Sequence, residues 1–305
     1  MKSKVLIIGA SGFIGARLWE RRTALGDDVV ACVTSEPPSW APLSGRRHPL
    51  RLPEGDIGRI LAEERPDHVV HCAGSSSVAD SIRDPAADFE ENVTVTEHLM
   101  RAVAACSPRS KVTFLSSAAV YGDPALQPID ERALPAPISP HGVHKLMAET
   151  ACRRIHDREG VPLAVLRIFS GYGPGLRKRL LWDIYQQWLR SGTVSLYGSG
   201  EETRDFIYGD DIVEAIGVVM EAAPFRGEVF NVASGRETSV RTAARLLLEA
   251  LGGGKELEFT AQVRAGDPRR WQADVGAIRA LGVPPGVAIE EGIQRYAKWL
   301  RAGAR

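Results

Sequence analysis

The chain has 305 residues, 44% of them hydrophobic, with 38 Lys and Arg set against 38 Asp and Glu. That size can bury a large core in one big domain or two closely joined ones. The balanced charge supplies no field that would draw nucleic acid or an anionic membrane, so neither is expected as a partner. The apolar stretch Val5 to Ile8 is too short for a secretory segment and no run approaches membrane-spanning length, which points to a cytoplasmic protein.

Val5-Leu6-Ile7-Ile8 reads as a buried parallel strand. It runs directly into Gly9-Ala10-Ser11-Gly12-Phe13-Ile14-Gly15. Glycines there permit a tight turn and let backbone amides approach a pyrophosphate, while a helix opening at about Phe13 adds its N-terminal dipole. With a strand before it and a helix after it, the loop is a dinucleotide-binding signature, and Gly9, Gly12, Phe13, Ile14 and Gly15 are expected to contact the cofactor. The second strand, Val29 to Val33, ends with Val33 at the position where NAD-binding folds place an acid for the adenosine ribose, and Thr34 and Ser35 follow as expected cofactor contacts. Without that carboxylate nothing repels a 2′-phosphate, so NADP(H) is favoured over NAD(H). Arg46 and Arg47 in the Pro-rich loop, or Arg17 after the glycine turn, are the candidate cations.

Asp56 is a natural N-cap for a helix through Arg65, and residues 66 to 74 form a further strand ending in the small residues Ala73 and Gly74. Helix signals run from Asp84-Pro85 to about Cys106, and Lys111 to Leu115 is a strand that delivers Ser117. Ser139 is an expected N-cap, Pro140 suits the first helical position, and Val143, Leu146, Met147, Thr150 and Ala151 recur with helical period. His141 and Lys145 therefore share a helix face. His141 and His144 have a spacing that suits a metal, but no Asp, Glu or Cys with matching spacing accompanies them, and no metal is expected. Cys32, Cys72, Cys106 and Cys152 are widely spaced and suggest neither a zinc knuckle nor a disulfide framework. Residues 162 to 169 form another parallel strand. Alternating strands and helices over most of the first 170 residues predict an α/β fold, a doubly wound parallel (Rossmann) sheet. The dinucleotide-binding domain is expected over 1–170 with about 206–233 returning to it, and a smaller substrate-binding lobe over 171–205 and 234–305.

The text Leu115-Ser116-Ser117-Ala118-Ala119-Val120-Tyr121-Gly122, followed by Ser139-Pro140-His141-Gly142-Val143-His144-Lys145, resembles the extended short-chain dehydrogenase/reductases that act on sugar nucleotides. Their helix usually reads Ser-Pro-Tyr-Gly-x-Ser-Lys, so His141 stands where the proton-carrying tyrosine is expected. The resemblance implies that Ser117 hydrogen-bonds the reacting oxygen and that Lys145 holds the nicotinamide ribose. It implies that Asp56 and Ile57 lie against the adenine, that Ala73 and Gly74 line the cofactor edge, and that Asn92 has a structural and relay role. The loop from Ser75 to Ser81 would face the sugar, with Ser76 and Ser77 as ligands. Ser170 replaces an asparagine that contacts the sugar nucleotide in relatives. Arg204, in the text Tyr197 to Tyr208, and Arg269, after Gly266-Asp267-Pro268, would hold the diphosphate, for which a guanidinium is suited. Relatives pair into homodimers through two helices, here those near 85–106 and 139–160.

Three functions follow from the resemblance. The first is an NADP(H)-dependent 4-ketoreductase of a nucleotide-linked keto-deoxysugar, since Ala118-Ala119 replace the Asp-Glu pair of the dehydratases. The second is a nucleotide-sugar epimerase with retained NAD. The third is a catalytically silent dinucleotide sensor that has lost its tyrosine. Histidine starts near pKa 6.5, so it can exchange a proton at neutral pH without help, and Lys145 beside it would favour the neutral imidazole.

Overall fold

The structure is a computed structural model that describes residues 2–36 and 45–303. The first half alternates strand and helix: β1 Lys4–Ile8, α1 Phe13–Ala24, β2 Asp28–Val33, β3 Arg46–Pro49, α2 Ile57–Glu64 and β4 His68–His71. Next come α3 Val78–Arg83, α4 Pro85–Phe89, a π-helical turn at Glu90–Thr94, α5 Val95–Cys106, β5 Lys111–Ser117 and a tight turn at Ala118–Tyr121. The chain continues through α6 Pro140–Glu159, β6 Leu163–Ile168, β7 Ser170–Tyr172, α7 Leu180–Arg190, β8 Thr193–Leu196 and β9 Thr203–Tyr208. It closes with α8 Gly209–Ala222, β10 Arg226–Val232, β11 Glu237–Ser239, α9 Val240–Ala250, β12 Glu256–Phe259, α10 Gly276–Ala280 and α11 Ile289–Arg301.

Seven strands form one sheet in the order β10-β6-β5-β4-β1-β2-β3. Every neighbouring pair in it is parallel. The order reverses between β1 and β4, the point at which such sheets open a crevice for a ligand. Alternation along β1 feeds both faces. Val5 and Ile7 join Leu18 and Trp19 of α1 and Ile212 and Ile216 of α8, while Leu6 and Ile8 join Ile57 of α2, Leu99 of α5 and Ala148 of α6. Each such side chain, fully buried, contributes roughly 1.5–3 kcal/mol.

A second core belongs to the C-terminal part, where Ile184 and Tyr185 of α7, Leu247 of α9 and Ile293, Tyr296 and Leu300 of α11 pack together. Two small sheets accompany it, β11-β9-β7 and β12-β8.

Helix ends are set by short polar caps. The side chains of Asp56, Asp84 and Ser139 accept hydrogen bonds from the backbone amides of Arg59, Ala87 and Gly142. Gly160, at φ 72°, ends α6 in the left-handed region.

Three local expectations are corrected. Arg46 and Arg47 are not loop residues: they begin β3, and the rest of the Pro-rich stretch, 37–44, lies outside the described residues. The helix expected from Asp84 to Cys106 is broken by the π turn, which inserts a widened coil at Asn92. The serine loop expected over 75–81 is shorter, because Ser77 caps α3 by accepting from the Asp80 amide.

Candidate active site

The crevice begins at the glycine turn. Gly9 has φ 83°, and a Cβ there would lie 2.7 Å from the Ala73 amide nitrogen. A Cβ on Gly15 would sit 2.3 Å from the Gly9 carbonyl oxygen. Only glycine allows the loop to fold this tightly onto the end of β4, and the tightness leaves the amides at the start of α1 facing the crevice. Phe13 and Ile14 open α1, with Ile14 half-buried against the core. The site suits a dinucleotide: a cradle that any side chain would fill, a helix N-terminus above it and a lysine amine beyond it.

That amine is the end of Lys145. Its Nζ donates to the Leu115 carbonyl at 3.1 Å and lies over the Phe114 ring. Burial pushes its pKa down to about 8. A Cβ on Gly74, at φ 129°, would meet Asn92 Oδ1 at 2.7 Å and Lys145 Nζ at 3.5 Å, so the end of β4, the π turn and α6 converge here. Asn92 is buried and donates from Nδ2 to the Asp88 carbonyl at 3.0 Å.

His141 occupies the first turn of α6, 3% exposed. The turn is seated on the neighbouring segment Ala118–Tyr121, where a Cβ on Gly142 would come within 2.4 Å of the Ala119 carbonyl oxygen. The His141 amide donates to Ser81 Oγ, and its Nδ1 faces Asp88 Oδ1 at 3.6 Å. Asp88 Oδ2 is 2.7 Å from His144 Nδ1. Burial lowers the His141 pKa, Asp88 opposes it, and Lys145 adds to it. The ring is therefore neutral at neutral pH, as its neighbourhood to Lys145 led us to expect, although desolvation is the larger cause. Burial also pushes Asp88 up, but the two imidazoles and Ser75 beside its oxygens outweigh it and hold Asp88 at about 2.

Ser117 ends β5, and its Oγ accepts from the Ala119 amide at 3.1 Å. Beneath it Ser116 bonds Glu149 of α6, and Glu149 holds Arg167 of β6 with Nη2 at 2.7 Å from Oε2 and Nε at 3.0 Å from Oε1. This buried pair ties β6 to β5, which carries Ser117, and to α6, which carries His141 and Lys145.

Other expected site residues are placed as follows. Thr34 and Ser35 follow β2 and are exposed, with Ser35 Oγ 3.3 Å from Ser11 Oγ across the glycine turn. Asp56 caps α2, and the side chain of Ile57 is part of the core. Ser76 offers its carbonyl to Arg179 Nη2 at 3.0 Å. Ser170 begins β7, paired with Phe206 of β9. Arg204 is largely buried, with Nη1 donating to the Thr203 and Pro268 carbonyls and its guanidinium over the Trp271 ring. Arg269 is exposed and pairs with Asp123 at 2.6 Å, while its carbonyl receives the Thr203 amide, so the two arginines belong to adjoining segments.

Arg17 and Arg46 do not stand as 2′-phosphate cations. Arg17 is buried, bound to Asp210 of α8 and to the carbonyls of Phe13 and Pro174. Arg46 bonds Asp28 and Glu64. Arg47 faces Glu36 at 3.8 Å.

Two residues that the sequence did not single out enter the site. Asp88 comes from α4, where the sequence reads as an ordinary first-turn acid. Arg179 precedes α7 with φ 70° and ψ −179°, a backbone region that side chains rarely adopt, and it contributes to the depressed His141 pKa. Asp88 also supplies an acid against both His141 and His144, which their spacing in the chain did not reveal. Even so, among the described residues no group of three His, Cys, Asp or Glu side chains is arranged to hold a metal. Nor is any described helix long and apolar enough to cross a membrane.

Comparison with known proteins adds the following. The profile of the NAD dependent epimerase/dehydratase family matches residues 5–233. The UDP-glucose 4-epimerase of Mycolicibacterium smegmatis is 31% identical over 98% of this chain and 98% of its own. The GDP-6-deoxy-D-mannose reductase of Pseudomonas aeruginosa is 28% identical over 96% of each chain. Among solved structures, that of MoeE5 in complex with UDP-glucuronic acid and NAD superimposes with a TM-score of 0.89 at 30% identity, covering 98% of this chain and 99% of the other.

Proposed function

Since the chain belongs to the NAD dependent epimerase/dehydratase family, we propose that it exchanges a hydride and a proton between a dinucleotide and a hydroxyl or keto carbon of a nucleotide-linked sugar, working as a 4-ketoreductase of a keto-deoxysugar. The observation that carries the hydride-and-proton reading is the reach of Lys145 Nζ from α6 to the Leu115 carbonyl of β5, two residues before Ser117, with His141 one turn earlier on the same helix. The bound dinucleotide supplies the nicotinamide carbon that gives or receives hydride. Gly9, Gly12 and Gly15, with the opening of α1 at Phe13 and Ile14, take its pyrophosphate; Lys145 binds the nicotinamide ribose, and Ala73 and Gly74 line the edge. Ser117 orients the reacting oxygen, and His141 exchanges the proton with it. Ser76, Ser77, Ser170, Arg204 and Arg269 bind the sugar nucleotide, the arginines toward the diphosphate.

For the reductase, the end of β2 is the supporting feature: Val33, Thr34 and Ser35 provide no ribose carboxylate, which favours NADP(H), with Arg47 as the remaining candidate cation. An epimerase with retained NAD is the second reading. It is favoured by the similarity to the M. smegmatis enzyme and by the neutral resting state of His141, the form that accepts a hydroxyl proton first. Pairing of two copies through α5 and α6 is part of the proposal, supported by Val143 and Met147, 40% and 42% exposed on α6.

Purified protein is mixed with NADPH or NADH and then with a panel of nucleotide-linked sugars and 4-keto-6-deoxysugars. Stoichiometric loss of NADPH with one keto-sugar supports the reductase. Interconversion of sugars without net cofactor change supports the epimerase. Tight dinucleotide binding with no turnover of any sugar overturns both and leaves a silent sensor.

A further inference from the structure

The motif that marks the active-site helix contains no acid, yet a carboxylate from another helix reaches it. Asp88 is 4% exposed, and its two oxygens face different imidazoles. Oδ2 is fixed by His144 at 2.7 Å, whose ring is in turn held edge-on against Phe89. Oδ1 faces His141 Nδ1 at 3.6 Å, and these two atoms are both buried without a hydrogen-bond partner. An unpaired buried acceptor and an unpaired buried ring nitrogen that confront each other across a gap slightly too long for a bond satisfy one another by closing it. Catalytic hydrogen bonds are often long in the free enzyme and tighten with ligand bound.

We propose that Asp88 is a positioning residue that replaces, for a histidine, the support a tyrosine would not need: it holds Nδ1–H of His141 and so leaves Nε2 bare toward the sugar. This rests on the reading of His141 as the proton carrier. In the oxidative direction the Nε2 lone pair takes the proton of the sugar hydroxyl, the O–H electron pair becomes the second bond of the carbonyl, and the hydride released from that carbon would pass to an oxidised dinucleotide held by the glycine turn and Lys145. His141 becomes an imidazolium whose charge lies against Asp88; the reductive direction returns both. Beside the ring also stand the titratable His144 on α6 and the cations Lys145 on α6 and Arg179 before α7, and both cations oppose the imidazolium. Asp88 is the carboxylate facing the ring that supports it. The arrangement follows the logic by which an acid orients a catalytic histidine in hydrolases, here without a nucleophile.

The test is nitrogen NMR of ¹⁵N-histidine-labelled, dinucleotide-bound protein, with His141→Gln identifying the resonance. The expected wild-type spectrum shows His141 protonated on Nδ1 and bare on Nε2 at neutral pH. In Asp88→Ala it should revert to the Nε2–H form. With a substrate in hand, Asp88→Asn should lower kcat on the order of 10²-fold with dinucleotide affinity unchanged, shift the acid limb of the pH profile downward, and be partly rescued in Asp88→Glu. A wild-type His141 that is protonated on Nε2, or a tautomer that Asp88→Ala does not move, overturns the proposal. If neither variant folds, the wild-type tautomer alone decides it. A bare Nε2 that responds to Asp88 in a protein that turns over no nucleotide sugar leaves the positioning intact and refutes the functional reading instead. Turnover that Asp88→Asn leaves unchanged refutes the positioning alone.

Discussion

Arg167→Met removes one half of a buried ion pair while keeping the length of the side chain. Glu149 and Arg167 are each 6% exposed at the side chain, and Glu149 keeps only Ser116 as a hydrogen-bond partner once the guanidinium is gone. Stranding a buried carboxylate typically costs about 3–5 kcal/mol. Protonation caps that penalty: neutralising an ordinary glutamate, near pKa 4.3, costs about 3.7 kcal/mol at pH 7, from about 1.36 kcal/mol per pH unit. The variant should therefore lose about 3–4 kcal/mol at neutral pH. Its folded state then binds a proton that the unfolded chain does not, so the deficit against wild type should shrink by about 1.4 kcal/mol for each pH unit of acidification toward pH 5. Glu149→Leu combined with Arg167→Met should recover most of the loss, because apolar replacement of a whole buried pair is often neutral or stabilising. Urea unfolding followed by circular dichroism at three pH values, in a double-mutant cycle, measures all of this. A single variant within about 0.5 kcal/mol of wild type, or a deficit independent of pH, would refute the reasoning by showing that water reaches the pair. Because Ser116 precedes Ser117 on β5, the single variant should also lower turnover more than dinucleotide affinity.

Gly15→Ala places a Cβ 2.3 Å from the Gly9 carbonyl and should weaken dinucleotide binding on the order of 10²-fold, read by quenching of intrinsic fluorescence, with the unfolding midpoint lowered in parallel. Burial holds Lys145 at about 8, so its ammonium is present below that value and lost as pH rises through it; turnover should fall above about pH 8, and Lys145→Met should be slow at every pH with that alkaline limb absent. Met147→Glu puts a charge on the exposed stripe of α6 and should convert a dimer to a monomer by light scattering without unfolding it; a wild-type monomer would remove the pairing from the account.

The sheet and the cofactor turn were legible because their determinants are local. Continuous apolar runs such as Val5 to Ile8 and Leu163 to Ile168 announce strands buried on both faces, and Gly9 to Gly15 announces a turn that no other residues permit. Ser139 and Pro140 fixed the start of α6, and with it the shared face of His141 and Lys145. Less local features were hidden. The π turn at Glu90–Thr94 has no signal in a stretch whose apolar residues keep helical period, and β3 begins with two arginines that read as loop. Arg17 reads as a free cation beside the cofactor, but its partners, Asp210 and the Pro174 carbonyl, come from a distant helix and loop. Asp88 is the clearest case: an acid in a helical first turn is ordinary electrostatics, and only the packing of α4 against α6 makes it a partner of His141.

In the proposed hydride exchange on a nucleotide-linked sugar, His141 carries the proton. The most direct test of that role is His141→Ala against wild type, with dinucleotide affinity by titration and turnover on the substrate that the panel identifies. The account predicts nearly unchanged affinity, turnover reduced on the order of 10²–10⁴-fold, and restored activity with a shifted pH optimum in His141→Tyr. Full activity in the alanine variant would contradict it.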